Sequence, residues 1–205
     1  MGRKLVGDFK MTKTVEFYFD VGSPTAYLAY KRLLQLNEQY KCSIKYHPIL
    51  LGGIFKATGN NSPIMVPAKG RYMDMDMPRY AKMYGVPLKM NPHFPINTLN
   101  LMRGAIAALD TDYFQIYLEA VFNAIWIDGK DMGDLDIVTS VLSSAGLDAS
   151  IILELTQDPK IKDKLISNTE WAVERGLFGA PTMFIGGEMF FGQDRLHFIE
   201  AELKK

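Results

Sequence analysis

Three short stretches carry residue types at spacings that can do chemistry. In FYFDVGSPTAYLA, residues 17–29, Gly22 breaks an apolar run, Ser23 takes a capping position, and Pro24 stands where a first-turn proline is tolerated. A hydroxyl then sits at a helix N-terminus, where free N–H groups and the macrodipole favour an anion. In GLFGAPTMF, residues 176–184, Ala180 and Pro181 stand at a strand start, where the missing proline N–H needs no partner. In FFGQDRLHFIE, residues 190–200, Gly192 turns a strand into a helix whose first turn carries Gln193, Asp194 and Arg195. Such a start offers N–H groups to a carboxylate, and Asp194 can accept an ammonium group. Each stretch also has a plain structural use, as a serine cap, a strand-opening proline and an aspartate cap beside a surface arginine.

The remaining reactive residue types point nowhere. Cys42 is the only cysteine, which excludes an internal disulfide framework and a Cys-x-x-Cys pair. With no cationic cluster or helix start beside it, it reads as a small buried apolar residue. His47, His93 and His197 are far apart and lack metal-ligand spacing, so no metal is expected and they read as structural or exposed. Met73, Met75, Met77 and Met83 read as gap-filling packing.

The elements that must position these stretches follow from periodicity. Residues 14–21 alternate Val15, Phe17 and Phe19 and form a first strand; a helix runs from Ser23 to about Tyr40; residues 42–50 form a second strand, with Pro48 placing it near an edge. Strand, helix, strand implies a parallel pair. From Leu51 to about Gly176 helix-period segments dominate, at roughly 67–84, 98–109, 111–126, 134–145, 148–155 and 159–176. Strand chemistry returns at 181–185 and 188–191 around Gly186-Gly187, a two-residue hairpin signal, and an amphipathic helix closes the chain. The order is βαβ, a helical block, then ββα.

Composition bounds the function classes. A chain of 205 residues, 48% hydrophobic and 22% charged, suits one compact unit or one domain with a large insertion. Lys plus Arg and Asp plus Glu balance at 23 each, which leaves no electrostatic footprint for nucleic acid. The basic, polar stretch at 1–13 lacks a signal-like apolar core and no run is long enough to span a bilayer, so a cytoplasmic protein with no membrane partner is expected.

The first stretch resembles the strand-to-helix turn of thioredoxin-like enzymes, in which Cys-Pro-x-Cys opens the helix; here the matching positions are Ser23-Pro24-Thr25-Ala26. Without either cysteine, disulfide exchange is chemically closed at that turn. What remains is a hydroxyl that can donate to a thiolate brought in by a cofactor and lower that thiol's pKa. Gly-Ala-Pro-Thr at 179–182 resembles the cis-proline segment of the same superfamily, which implies a cis Pro181 and an Ala180 backbone that pairs with a bound peptide or glutathione.

In combination the motifs resemble the kappa-class glutathione transferases and, more closely, the 2-hydroxychromene-2-carboxylate isomerases of bacterial naphthalene degradation, across about residues 14–203. HPILLGGIFKATGNNSP at 47–63, KGRYM at 69–73, HFPINTL at 93–99 and FNAIWIDGKDM at 122–132 extend the match. The resemblance implies an α/β thioredoxin fold, split as 14–50 plus 177–205, with an all-helical insertion at 51–176 and an N-terminal extension at 1–13. It implies glutathione as cofactor, with Ser23 at the sulfur and Asn60, Ala180, Pro181, Gln193, Asp194 and Arg195 along the tripeptide. A pocket for an aromatic carboxylate substrate needs flat apolar walls and a few polar groups, and Asn61, Lys69, Tyr72, Asn97 and Trp126 are its candidates; for Tyr72 and Trp126 core packing is at least as good a reading. A homodimer is also implied. The expected activity is isomerisation by reversible thiolate addition, with a kappa-like transferase and a non-catalytic thioredoxin-fold peptide binder as alternatives.

Overall fold

The structure, a computed structural model, describes residues 12–205, so most of the expected extension at 1–13 lies outside the described residues. Four strands form one sheet: β1 (Thr14–Phe19), β2 (Ser43–Pro48), β3 (Thr182–Ile185) and β4 (Glu188–Phe191), in the order β2-β1-β3-β4. β1 pairs parallel to β2, with Val15 opposite Ile44 and Phe19 opposite Pro48, and antiparallel to β3, with Phe17 opposite Met183. Pro48 is thus the last residue of an edge strand, where a missing N–H is tolerated. The β3–β4 hairpin turns on Gly186 and Gly187, both at positive φ (59° and 86°), the pair of conformations that a two-residue hairpin demands.

Helix α1 (Pro24–Tyr40) joins β1 to β2, and among the described residues the segment 51–176 is helical: α2 (Leu51–Thr58), a 310 turn (Pro63–Met65), α3 (Pro67–Tyr84), α4 (Leu99–Ala108), α5 (Phe114–Trp126), α6 (Leu135–Ser144), α7 (Ala149–Leu155) and α8 (Pro159–Glu174). After β4 a 310 turn (Gln193–Arg195) leads into α9 (Leu196–Lys204). This is a thioredoxin-type sheet split by a helical insertion. Period-2 alternation along β1 sends Val15, Phe17 and Phe19 into the main core with α1, α4 and α5, each stabilising by about 1.5–3 kcal/mol on burial. Tyr18 faces the other way, into a smaller cluster with Ile49, Ile54, Ala172, Leu177 and Phe184.

Two elements depart from expectation. Helix α2 is absent from the periodicity reading because Gly52 and Gly53 carry poor helix propensity, about 1 kcal/mol each relative to alanine. Gly53 explains why such a residue is there: a Cβ on it would lie 3.0 Å from the Thr169 methyl of α8, so α2 and α8 pack at close range. Gln193, Asp194 and Arg195 form their own 310 turn rather than the first turn of the terminal helix, because Gly192, at φ 93°, leaves β4 in a left-handed conformation.

On the Tyr18 face Arg175 donates to both Glu16 oxygens (2.6 and 3.2 Å) and to the Tyr18 hydroxyl (2.5 Å), and lies 3.8 Å over the Phe184 ring. The hydrogen bond from Arg175 holds the Glu16 carboxyl below the usual range. His47 stacks on Tyr18 at 4.3 Å, and burial lowers its pKa to about 4. As pH falls, the unfolded chain takes up a proton at its ordinary pKa of 6.5 before the folded chain does. The stability present above pH 6.5 is therefore lost between 6.5 and about 4. Urea unfolding at pH 7 and pH 5 is expected to show a loss of about 1–2 kcal/mol that shrinks in His47→Phe, which keeps the stacked ring; an equal loss in both proteins would remove His47 as its source.

Candidate active site

Ser23 is 4% exposed and caps α1 from an extended backbone (φ −94°, ψ 117°), as its sequence position predicts. Its hydroxyl accepts from the Ala26 N–H at 3.1 Å, lies 2.9 Å from the Thr25 hydroxyl and donates to the Ala180 carbonyl at 3.2 Å. The Ala180–Pro181 bond is cis, in agreement with the expectation for the Gly-Ala-Pro-Thr segment. The first and second stretches, 157 residues apart in sequence, thus meet in one hydrogen bond.

The other segments close around this contact. The Gly192 N–H donates to the Pro181 carbonyl at 2.9 Å, which brings the Gln193–Arg195 turn beside the cis proline. Gln193 is buried and its carbonyl accepts from Tyr84 Oη at 2.6 Å, while Asp194 and Arg195 pair with one another. Asn60 Nδ2 donates to the Phe178 carbonyl at 2.8 Å, and its Oδ1 accepts from the Asn61 N–H. The loop between them is tightly placed: a Cβ on Gly179 would lie 2.8 Å from the Phe191 ring, which itself packs on Phe178. Ser23, Ala180, Pro181, Gln193 and Asn60 therefore belong to one connected group, with Asn61, Asp194 and Arg195 at its rim.

The substrate candidates divide. Asn97 is exposed, accepts from the Leu99 N–H and directly precedes Thr98, whose methyl would lie 2.8 Å from a Cβ on Gly22. Lys69 and Tyr72 sit on the exposed surface of α3, where the Tyr72 hydroxyl bonds to Asp76 rather than to any member of the Ser23 group. Trp126 requires a correction. Its indole is fully buried, and Nε1 donates to the Val21 carbonyl at 2.8 Å, so it supports the turn below Ser23 and reaches no open surface. Its size and its single donor suit a core position beneath a loop with one free carbonyl.

Asp20 and Thr98 were not among the candidate residues. The Asp20 carboxylate, two residues before Gly22, accepts from Gly22 N–H (2.9 Å), Thr98 Oγ1 (2.8 Å) and Leu51 N–H (2.9 Å). Burial pushes its carboxyl upward while these three donors oppose the shift. The sequence does carry a signal: a carboxylate stands between Phe19 and Val21 at the end of the first strand, directly before the Gly22-Ser23 turn. Cys42, by contrast, is buried with its thiol pushed up by desolvation, as an inert packing residue should be. Two surface hollows, about 590 Å³ beside Lys13, Lys45 and Glu202 and about 540 Å³ beside Tyr30, Ile116 and Asn123, share no residue with the Ser23 group.

A thioredoxin-type sheet with a helical insertion, a capped helix start and a facing cis-proline defines the class, and residues 14–204 match the DSBA-like thioredoxin domain, the family to which this chain belongs. Within it, the chain is 35% identical over 196 residues to a 2-hydroxychromene-2-carboxylate isomerase of Sphingobium xenophagum, covering 94% of this chain and 99% of that protein. A glutathione S-transferase kappa 1 of Caenorhabditis elegans is 32% identical over 208 residues, covering 93% and 91% respectively. A solved 2-hydroxychromene-2-carboxylate isomerase superposes with a TM-score of 0.85 at 32% identity, over 93% of this chain and 94% of that one.

Proposed function

We propose that the chain is a glutathione-dependent isomerase of 2-hydroxychromene-2-carboxylate and trans-o-hydroxybenzylidenepyruvate-type aromatic compounds. The observation that carries this reading is the Ser23 hydroxyl, held at the start of α1 and 3.2 Å from the carbonyl that precedes a cis proline. The residues present fit the tripeptide: a helix N-terminus and a hydroxyl for its sulfur, the Ala180 main chain for its centre, and the Gln193–Arg195 turn with Asp194 for its glutamyl end.

When bound, glutathione would supply a thiolate nucleophile for reversible addition to a conjugated carbon of the substrate, the chemistry that would free a double bond to rotate. The chain's own part is placement and charge. The Ser23 hydroxyl turns from the Ala180 carbonyl to donate to the thiolate, and the α1 dipole favours the same anion. Asn60 holds the 178–181 loop against the site through Phe178. Asn97 and Asn61, with Lys69 and Tyr72 further out on α3, are the polar groups offered to a carboxylate and a phenol. The reading carries a cytoplasmic homodimer with it.

Titration calorimetry tests it: binding of glutathione is expected, and its absence at millimolar concentration would defeat the reading. Asp194→Ala is expected to weaken that binding about tenfold or more, since a hydrogen bond to a charged group contributes about 1.5–3 kcal/mol. The kappa relative favours a second reading, a transferase that leaves glutathione attached to an electrophile. Product analysis with authentic hydroxychromene carboxylate separates the two: isomer with unconsumed glutathione supports the first, a stable conjugate the second.

A further inference from the structure

Asp20 is the only charged side chain buried among the described residues, at 2% exposure. A buried carboxylate is tolerated only when its oxygens are well served by donors. Here the donors come from three separate segments. Gly22 N–H and Thr98 Oγ1 serve Oδ1, and Leu51 N–H serves Oδ2; these belong to the β1–α1 turn, the cap of α4 and the start of α2. The Asp20 carbonyl also accepts from the Ser23 N–H at 3.0 Å, and the Thr98 methyl presses on Gly22, where a Cβ would approach it to 2.8 Å. These hydrogen bonds of Asp20 therefore end on the turn that carries Ser23 or on the starts of α2 and α4.

We propose that Asp20 is the positioning residue for Ser23, holding the turn so that the hydroxyl and the first turn of α1 are aimed together at the bound thiol. The inference rests on the glutathione reading above. Asparagine at this position retains the shape but sets an NH2 against one of three donors, so the turn relaxes while the core remains filled.

Asp20→Asn is expected to leave the KM for glutathione within about threefold of wild type, because the tripeptide's other anchors are untouched, while kcat falls about tenfold or more. The ultraviolet titration of bound glutathione separates positioning from plain support: misalignment of the donor raises the thiol pKa. An unchanged thiol pKa overturns the proposal. So does a lowered one, since loss of a nearby like charge alone acts in that direction. Should Asp20→Asn fail to fold, Thr98→Val removes one of the same hydrogen bonds and is expected to raise the thiol pKa, with Thr98→Ser restoring it; no change in Thr98→Val overturns the proposal equally. Failure of wild type to bind glutathione removes the parent reading and this inference with it, whereas wild-type binding with unshifted variants removes this inference alone.

Discussion

Ser23→Ala is expected to lower turnover about 100-fold and to raise the apparent pKa of bound glutathione by about one unit, with a far smaller effect on glutathione affinity. The reasoning is differential. On the proposed reading the tripeptide is held along its length by the Ala180–Pro181 main chain and the Gln193–Arg195 turn, which the substitution leaves intact. In that reading the hydroxyl serves one atom, the sulfur, when it is charged. Removing a donor aimed at a developing anion costs far more in rate than in ground-state binding. The same substitution removes the cap of α1, whose Ala26 N–H loses its acceptor, and about 1 kcal/mol of stability goes with it. Steady-state kinetics beside a denaturant melt separates these effects. A folded Ser23→Ala protein with wild-type kcat would show that the hydroxyl is a helix cap and nothing more.

Trp126→Ala is expected to cost about 4 kcal/mol of folding stability, the largest effect of any single change considered. The indole is fully enclosed at the end of α5, packed near Phe94, with its N–H on the Val21 carbonyl. Truncation leaves a large cavity and an unpaired carbonyl directly under the Ser23 turn. Activity should fall with the loss of folded protein, and the preference among substrates should not change in the fraction that remains folded. A denaturant midpoint equal to wild type, with altered substrate preference, would return Trp126 to the pocket wall.

The sheet and the site were legible in the sequence to different depths. β1, α1 and the Gly186-Gly187 hairpin follow from alternation, capping and turn chemistry, all of which are local. The Ser23 and Pro181 stretches are likewise marked by neighbours within a few residues. Their meeting across the sheet is not, because the β1–β3 pairing that brings them together is set by strands 160 or more residues apart in the chain. Helix α2 escaped for a related reason: its glycines look like helix breakers until Thr169 of α8 is seen pressed against Gly53. Trp126 shows the converse limit. An aromatic residue in a helix reads the same whether it walls a pocket or fills a core, and only the Val21 carbonyl decides between them.

An ultraviolet titration of glutathione in the presence of the wild-type protein tests most directly whether the chain hosts a glutathione thiolate at the start of α1. Thiolate absorbance rising at a pH clearly below that of free glutathione, and returning towards the free value in Ser23→Ala, is the result expected. A bound glutathione that titrates as it does in water, or no binding at millimolar concentration, would contradict the account.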